Sequence, residues 1–152
     1  MILRDITGHM RLELRGPDGE LKAVREVGNL IVDVGRDGIM DQLLASPTII
    51  KPTHMAIGTG STAPAAGNTA LGAEIDRNAL TSKTRAAGVV TMVGDWAAGD
   101  GTNAAIAEAG VFSQASGTDA THPMYSRATF TAINKGASDT LSITWTYTGT
   151  PS

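Results

Sequence analysis

The sequence predicts a mainly β fold, a β-sandwich or barrel-like domain with one short α-helix, and three observations carry that prediction. The stretch Thr140 to Thr148 alternates large apolar and small polar residues without a break, so Leu141, Ile143, Trp145 and Tyr147 share one face of a strand. Thr140, Ser142, Thr144, Thr146 and Thr148 line its other face. With only Trp 2, Tyr 2 and Phe 2 in the chain, half the Trp and half the Tyr sit on that one apolar face, which is therefore expected at the middle of a core. Thr and Val favour strands and Gly 18 supplies turns, so the composition leans to short strands with many connections. Helical periodicity is confined to one short stretch, roughly 34 to 45.

At 152 residues the chain fits one domain, and folding at this size buries roughly 70% of the surface an unfolded chain exposes. Cys 0 excludes disulfides, thiolate zinc sites and a cysteine nucleophile together. Met1 to Thr7 lacks the apolar run of a signal peptide, and no stretch reaches the ~20 apolar residues of a bilayer span, so the chain is expected to fold in a cytoplasm with no membrane partner. Net charge is −3 with Lys and Arg scattered, which argues against nucleic acid as a partner.

Taken in order, Ile2, Leu3 and Ile6 are apolar yet precede the first clear unit. They suit either an N-terminal arm over 1–7 that docks on a neighbouring protein, ahead of a single β-rich domain over 8–152, or an edge strand of the chain's own sheet. Met10, Leu12 and Leu14 then alternate with charged residues up to Gly16-Pro17-Asp18-Gly19, a turn that closes a hairpin. Charge pairing favours a register that sets Arg15 opposite Glu20, Leu14 opposite Leu21 and Glu13 opposite Lys22. After Asn29 to Val32 the period changes. Asp33 is an N-cap, Ile39, Met40, Leu43 and Leu44 form the apolar face of the helix, and Pro47 stops it. Gly35 and Gly38 weaken that helix by about 1 kcal/mol each, so it must hold by packing its apolar face on a sheet.

Thr53 to Ile57 reads as a strand, and Gly58 to Gly72 as a long loop of a kind that is usually functional or interface-forming. Strand signal resumes weakly over Ile75 to Thr81 and strongly over Val89 to Trp96. Asp100-Gly101 marks a turn, and Ala104 to Phe112 reads as a strand despite its alanines. A second polar loop, Ser113 to Pro123, leads into a strand over Met124 to Ile133, which is expected to pair with the strand at 140–148 as a second hairpin.

No stretch carries recognisable reaction chemistry. Gly58-Thr59-Gly60-Ser61-Thr62-Ala63 imitates a dinucleotide loop, with Asp76 at a tempting distance, but Pro64 and Gly67 stand where a helix would have to begin. His9, His54 and His122 fall in separate segments with no metal spacing. Asp95, Asp100, Asn103 and Glu108 lack the order of a calcium loop, and no serine sits in a nucleophile elbow. The expectation is a protein without catalytic residues, cofactor or metal.

Several stretches resemble a family of virion structural proteins of tailed bacteriophages. They are Leu12 to Lys22, Asn29 to Val32 with the Gly35-containing helix start, Met55 to Pro64, Thr69 to Gly72, Glu108 to Phe112, and Asp139 to Trp145. The resemblance covers most of the chain but includes no ligand motif. It implies a particle component located in the virion. The first expectation is a capsid decoration, or cement, protein that binds the major capsid protein, acts as a homo-oligomer, and uses Ile2, Leu3 and Ile6 at the partner interface. The alternative is a tail-tip or tail-fibre module contacting a host receptor; the absence of heptads and long β-repeats favours decoration.

Overall fold

The computed structural model describes residues 3–151. Its described residues form nine strands and one helix: β1 (Leu3–Arg15), β2 (Leu21–Ile31), α1 (Asp33–Asp41), β3 (His54–Gly58), β4 (Glu74–Ala79), β5 (Ser82–Ala86), β6 (Val89–Trp96), β7 (Asn103–Phe112), β8 (Met124–Lys135) and β9 (Thr140–Pro151). All nine strands belong to one antiparallel sheet in the order β4-β3-β7-β8-β2-β1-β9-β6-β5, curled into a half-barrel. The curl turns on β2, which pairs with β1 up to Asn29 and then passes to β8, setting Leu30 against Arg127 and Ile31 against Ser126. The chain crosses from the β4 edge to the β5 edge at Leu80 and Thr81. There the Leu80 N–H donates to the Thr53 carbonyl at 2.9 Å and the Thr81 N–H to that of Val93 at 2.8 Å.

The register explains how the inner face is filled. Reading across β6, β9 and β1, the rows are Trp96-Leu141-Leu14, Gly94-Ile143-Leu12, Met92-Trp145-Met10 and Val90-Tyr147-Gly8. The alternation of β9 supplies the middle of every row, and Leu141, Ile143, Trp145 and Tyr147 are all buried, with Trp145 fully inaccessible. Met55, Ile57, Ile106, Val111, Tyr125 and Ile133 complete the same core. Close approach fixes Gly94 in its row, because a Cβ there would lie 2.9 Å from the Met55 sulfur.

Three expectations are corrected. The helix ends at Asp41 rather than 45; Val32 is its N-cap, no side chain caps it, and Asp33 is its first residue. Its buried residues are Gly35 and Gly38. A Cβ on Gly35 would stand 2.0 Å from the Tyr125 carbonyl oxygen and one on Gly38 would stand 2.6 Å from the Tyr125 hydroxyl oxygen, so these glycines make the contact that holds the helix to β8. Ile39 is half-buried against the core, whereas Met40, Leu43 and Leu44 are exposed.

The first hairpin forms with its Gly16–Gly19 turn, but Leu14 pairs with Ala23 and Glu13 with Val24, and a bulge sets Arg15 against Leu21. The expected Glu13–Lys22 pairing gives way to other partners: Glu13 holds Arg11 and Arg15 on its own strand, and Lys22 donates to Asp139, in the turn before β9, at 2.7 Å. From Leu14 back the two registers differ by two residues, which keeps Ala23 on the face of Leu14, whereas the bulge takes Leu21 out of that face and leaves it exposed.

β8 and β9 are not a hairpin. β8 pairs with β7 and β2 and β9 with β1 and β6, so their connection crosses between the two halves of the sheet. That crossing is fastened by buried Lys135, whose Nζ donates to the carbonyls of Ala97 and Asp139 at 2.9 and 2.8 Å.

Of the two readings given for 1–7, a docking arm or a strand of the chain's own sheet, the residues from Leu3 onward take the second, as the first part of β1. Leu3 to Thr7 pair with the end of β9, which runs past Thr148 to Pro151, and Ile6 continues the inward alternation of Met10 and Leu12. Ile2 lies outside the described residues.

Candidate functional site

The rows of the inner face run out of side chains at one end. Beyond Val90-Tyr147-Gly8 come Gly149, paired with Ile6, and Gly88, whose carbonyl accepts the Gly149 N–H at 3.0 Å. Two glycines in that row leave the space between the facing sheets unfilled. Gly88 is also required by the turn: Ala87 and Gly88 have φ of 49° and 78°, as the two-residue hairpin between β5 and β6 demands.

The result is a groove of about 720 Å³. Ile6, Val90, Met92 and Tyr147 form its apolar floor and wall, Ile39 of α1, the C-cap Gln42 and Tyr125 of β8 face them, and Lys51, Lys83 and Arg85 stand at the rim. A space of this size lies in the range of sites that enclose a ligand or a few side chains.

The wall on the helix side is held rigidly by polar contacts. The Asp41 carboxylate accepts the N–H groups of Thr48 and Ile49 at 2.7 and 2.8 Å, Gln42 Nε2 donates to the Ile49 carbonyl at 2.8 Å, and the Tyr125 hydroxyl donates to the Ile50 carbonyl at 2.8 Å. Burial, with the Asp41 charge adding to it, pushes the Tyr125 phenol up to about 12.

Lys83 Nζ donates to the Pro52 carbonyl at 2.7 Å, tying the β5 edge across the mouth. Partial burial, and after it repulsion from Lys51, lowers the Lys83 pKa. Among the described residues none of Lys51, Lys83 and Arg85 is in an ion pair, and none of the groove's lining residues is acidic. Next to the groove, Met40, Leu43 and Leu44 at the end of α1 and Ile50 before Lys51 present exposed apolar surface; Leu43 keeps 78% of its accessible area.

The glycine-rich loop after β3 is closed from inside the protein. Glu108 of β7 is fully buried, and its carboxylate accepts the N–H groups of Gly60, Gly72 and Ala73 at 2.9, 2.9 and 2.7 Å and the Arg127 Nη2 at 2.9 Å. Arg127 Nη1 continues to Asn68 Oδ1 at 3.1 Å. Burial alone would raise the Glu108 pKa, but the N–H donors of Ala73 and Gly72, then Arg127 and Gly60, outweigh it and hold the carboxyl below the usual carboxylate range. Within the 58–63 stretch that imitates a dinucleotide loop, the Gly60 N–H is thus committed to the chain's own glutamate and the Thr59 N–H to the Ala73 carbonyl.

Arg77 does the corresponding work for the second long loop. It pairs with Glu74 at 2.6 Å, donates to the carbonyls of Gln114 and Gly117, and lies 3.6 Å over the Phe112 ring. Neither clamp was legible in advance. Glu108 sits in an alanine-rich stretch, and its partners come from three distant segments.

The other singled-out residues do not converge. His9 is in β1 and His54 in β3, whereas His122 lies in the second loop with its Nδ1 3.0 Å from Asp119; that contact, with Thr121, holds the exposed Asp119 carboxyl at about 2. Asn103 Oδ1 accepts the Ala105 N–H, and Asn78 donates to the Asp95 carbonyl. Among the described residues no three His, Asp or Glu side chains are grouped as metal ligands. Of the expected interface residues, Ile6 lines the groove and Leu3 begins β1.

Comparison with protein-family models, with curated proteins and with solved structures finds no match.

Proposed function

We propose that the chain is a structural component of a tailed-phage virion, a decoration protein that binds the outside of the capsid as a homo-oligomer and stabilises the lattice of the major capsid protein. It acts by binding, without catalysis, cofactor or nucleic acid. The observation that carries this reading is the apolar surface at one end of the half-barrel, where Met40, Leu43, Leu44 and Ile50 are exposed beside an open groove. Large apolar side chains left exposed together in two neighbouring segments are the kind of surface that marks an interaction site. The sequence resemblance to virion proteins supplies the partner, and the clamped loops give the stiff body that reinforcement of a shell requires.

Purified protein added to undecorated capsids should bind saturably and raise the temperature at which they disassemble. Its copy number in intact particles should approach that of the major capsid subunit. A few copies per particle would instead identify the tail-tip or tail-fibre alternative, and absence from particles would end the virion reading altogether.

A further inference from the structure

We propose that the groove at the open end of the half-barrel binds an extended, acidic segment of a partner chain, one whose groove-facing side carries both apolar side chains, which enter the groove, and carboxylates, which meet the basic rim.

Three features select this occupant. The floor is apolar, built from Ile6, Val90, Met92 and Tyr147, and lies open because Gly88 and Gly149 contribute no side chains. The rim carries three cations with no acidic partner among the described residues, so the electrostatic complement is a carboxylate-bearing ligand. Lys83 spends one of its three N–H donors on the Pro52 carbonyl and keeps two for an incoming acid.

The third feature is the strand that flanks the groove. β5 pairs with β6 on one side only and ends the sheet, so its outer edge can take backbone hydrogen bonds from an added strand. Its residues Lys83 and Arg85 lie two apart and pair with Met92 and Val90, so they share the groove face. An extended ligand added to β5 turns every second residue to that same face, so its apolar and acidic residues fall two apart, whereas a helix laid in the groove would leave the edge unused. Lysines on an edge strand also discourage strand addition by chains of like or no charge, and a segment rich in Asp or Glu is the kind they admit. If the virion role holds, the segment belongs to the shell subunit; only that assignment rests on the proposed function.

The test uses the protein and three synthetic peptides whose one face alternates valine with glutamate, valine with lysine, and serine with glutamate, with threonine at every intervening position. Fluorescence anisotropy should show binding of the valine–glutamate peptide alone, weakened about tenfold by high salt and by the exposed-rim reversal Lys51→Glu with Lys83→Glu and Arg85→Glu. The neutral variant Lys51→Gln with Lys83→Gln and Arg85→Gln should fall between, and circular dichroism should show both variants folded like the parent at the assay temperature, with melting temperatures lowered only by loss of the Lys83 tie to Pro52. Equal binding of the lysine peptide, no binding of any peptide, or saturable uptake of dodecanoate with no peptide binding would each overturn the proposal. Capsid binding separates it from the virion role: a rim-reversed protein that decorates capsids like the parent rejects the groove as the shell contact, whereas a parent that never binds capsids rejects the shell and leaves the peptide result standing.

Discussion

Glycine does opposite work in the Glu108 loop and at the open mouth. Around Glu108, Gly58 and Gly60 let backbone approach a carboxylate so closely that a Cβ on either would come within 2.6 Å of Oε1, and the space is filled by five-fold hydrogen bonding to one side chain. At the mouth, Gly88 and Gly149 end the rows of a packed sheet, and nothing replaces the missing side chains. Both regions look alike as small-residue sequence. One is a closed anion hole satisfied from within, and the other is an opening with unpaired cations. The lesson is that glycine marks where backbone must come close or where volume is withheld, and only the neighbouring charge tells which.

The largest expected effect comes from breaking the closed region. Glu108→Ala would leave Arg127 as a buried unpaired cation and strip three backbone N–H groups of their acceptor, a change expected to cost about 3–5 kcal/mol. A urea titration of the variant should show this as a lower midpoint, and a loss below ~1 kcal/mol would mean that water replaces the carboxylate and the clamp is dispensable.

Its pH dependence has a definite sign. Because the folded-state pKa of Glu108 lies below its ordinary value of 4.5, the folded protein binds fewer protons than the unfolded chain between the two values. The stability it contributes is complete above the ordinary value and is lost as pH falls through the folded pKa. Melting temperature should therefore drop on acidification below about pH 4.5, and Glu108→Gln should flatten part of that drop; parallel curves would show that other carboxylates carry the acid response.

Beneath the mouth, Trp145 fills the row between Met92 and Met10, so Trp145→Ala should extend the opening into the core at a cost of about 3–5 kcal/mol. A denaturant midpoint close to the parent's would show that the rows can collapse around the gap.

A smaller effect tests the helix wall. Gly→Ala in an exposed helix ordinarily stabilises by about 1 kcal/mol, but Gly35→Ala should destabilise by about 1–3 kcal/mol, because the new methyl meets the Tyr125 backbone. A rise in melting temperature would mean that α1 can lift from β8 without loss.

The smallest effect on folding belongs to the surface beside the mouth. Leu43→Ser should leave stability within about 0.5 kcal/mol, since the side chain is already in water. The same variant should weaken decoration of capsids, and unchanged binding would exclude Leu43 from the contact.

The alternation of 140–148 was enough to place a buried central strand, because a period of two admits one structure and because burial of Trp145 and Tyr147 follows from their shared face. The Gly16–Gly19 turn and the bounds Val89–Trp96 of β6 were legible for similarly local reasons. What local pattern could not decide was any choice between partners of equal period. β9 had the apolar face to pair with β8, yet the curl at β2 brings it between β1 and β6. Leu43 and Leu44, just past the end of α1, had the right spacing to be buried, yet the helix lies so close to Tyr125 that only Gly35 and Gly38 fit beneath it. The clamp around Glu108 and the groove above Tyr147 join segments far apart in the chain, so they exist only once the sheet has curled; the sequence by itself determined the faces of the strands, and the tertiary structure decided what each face meets.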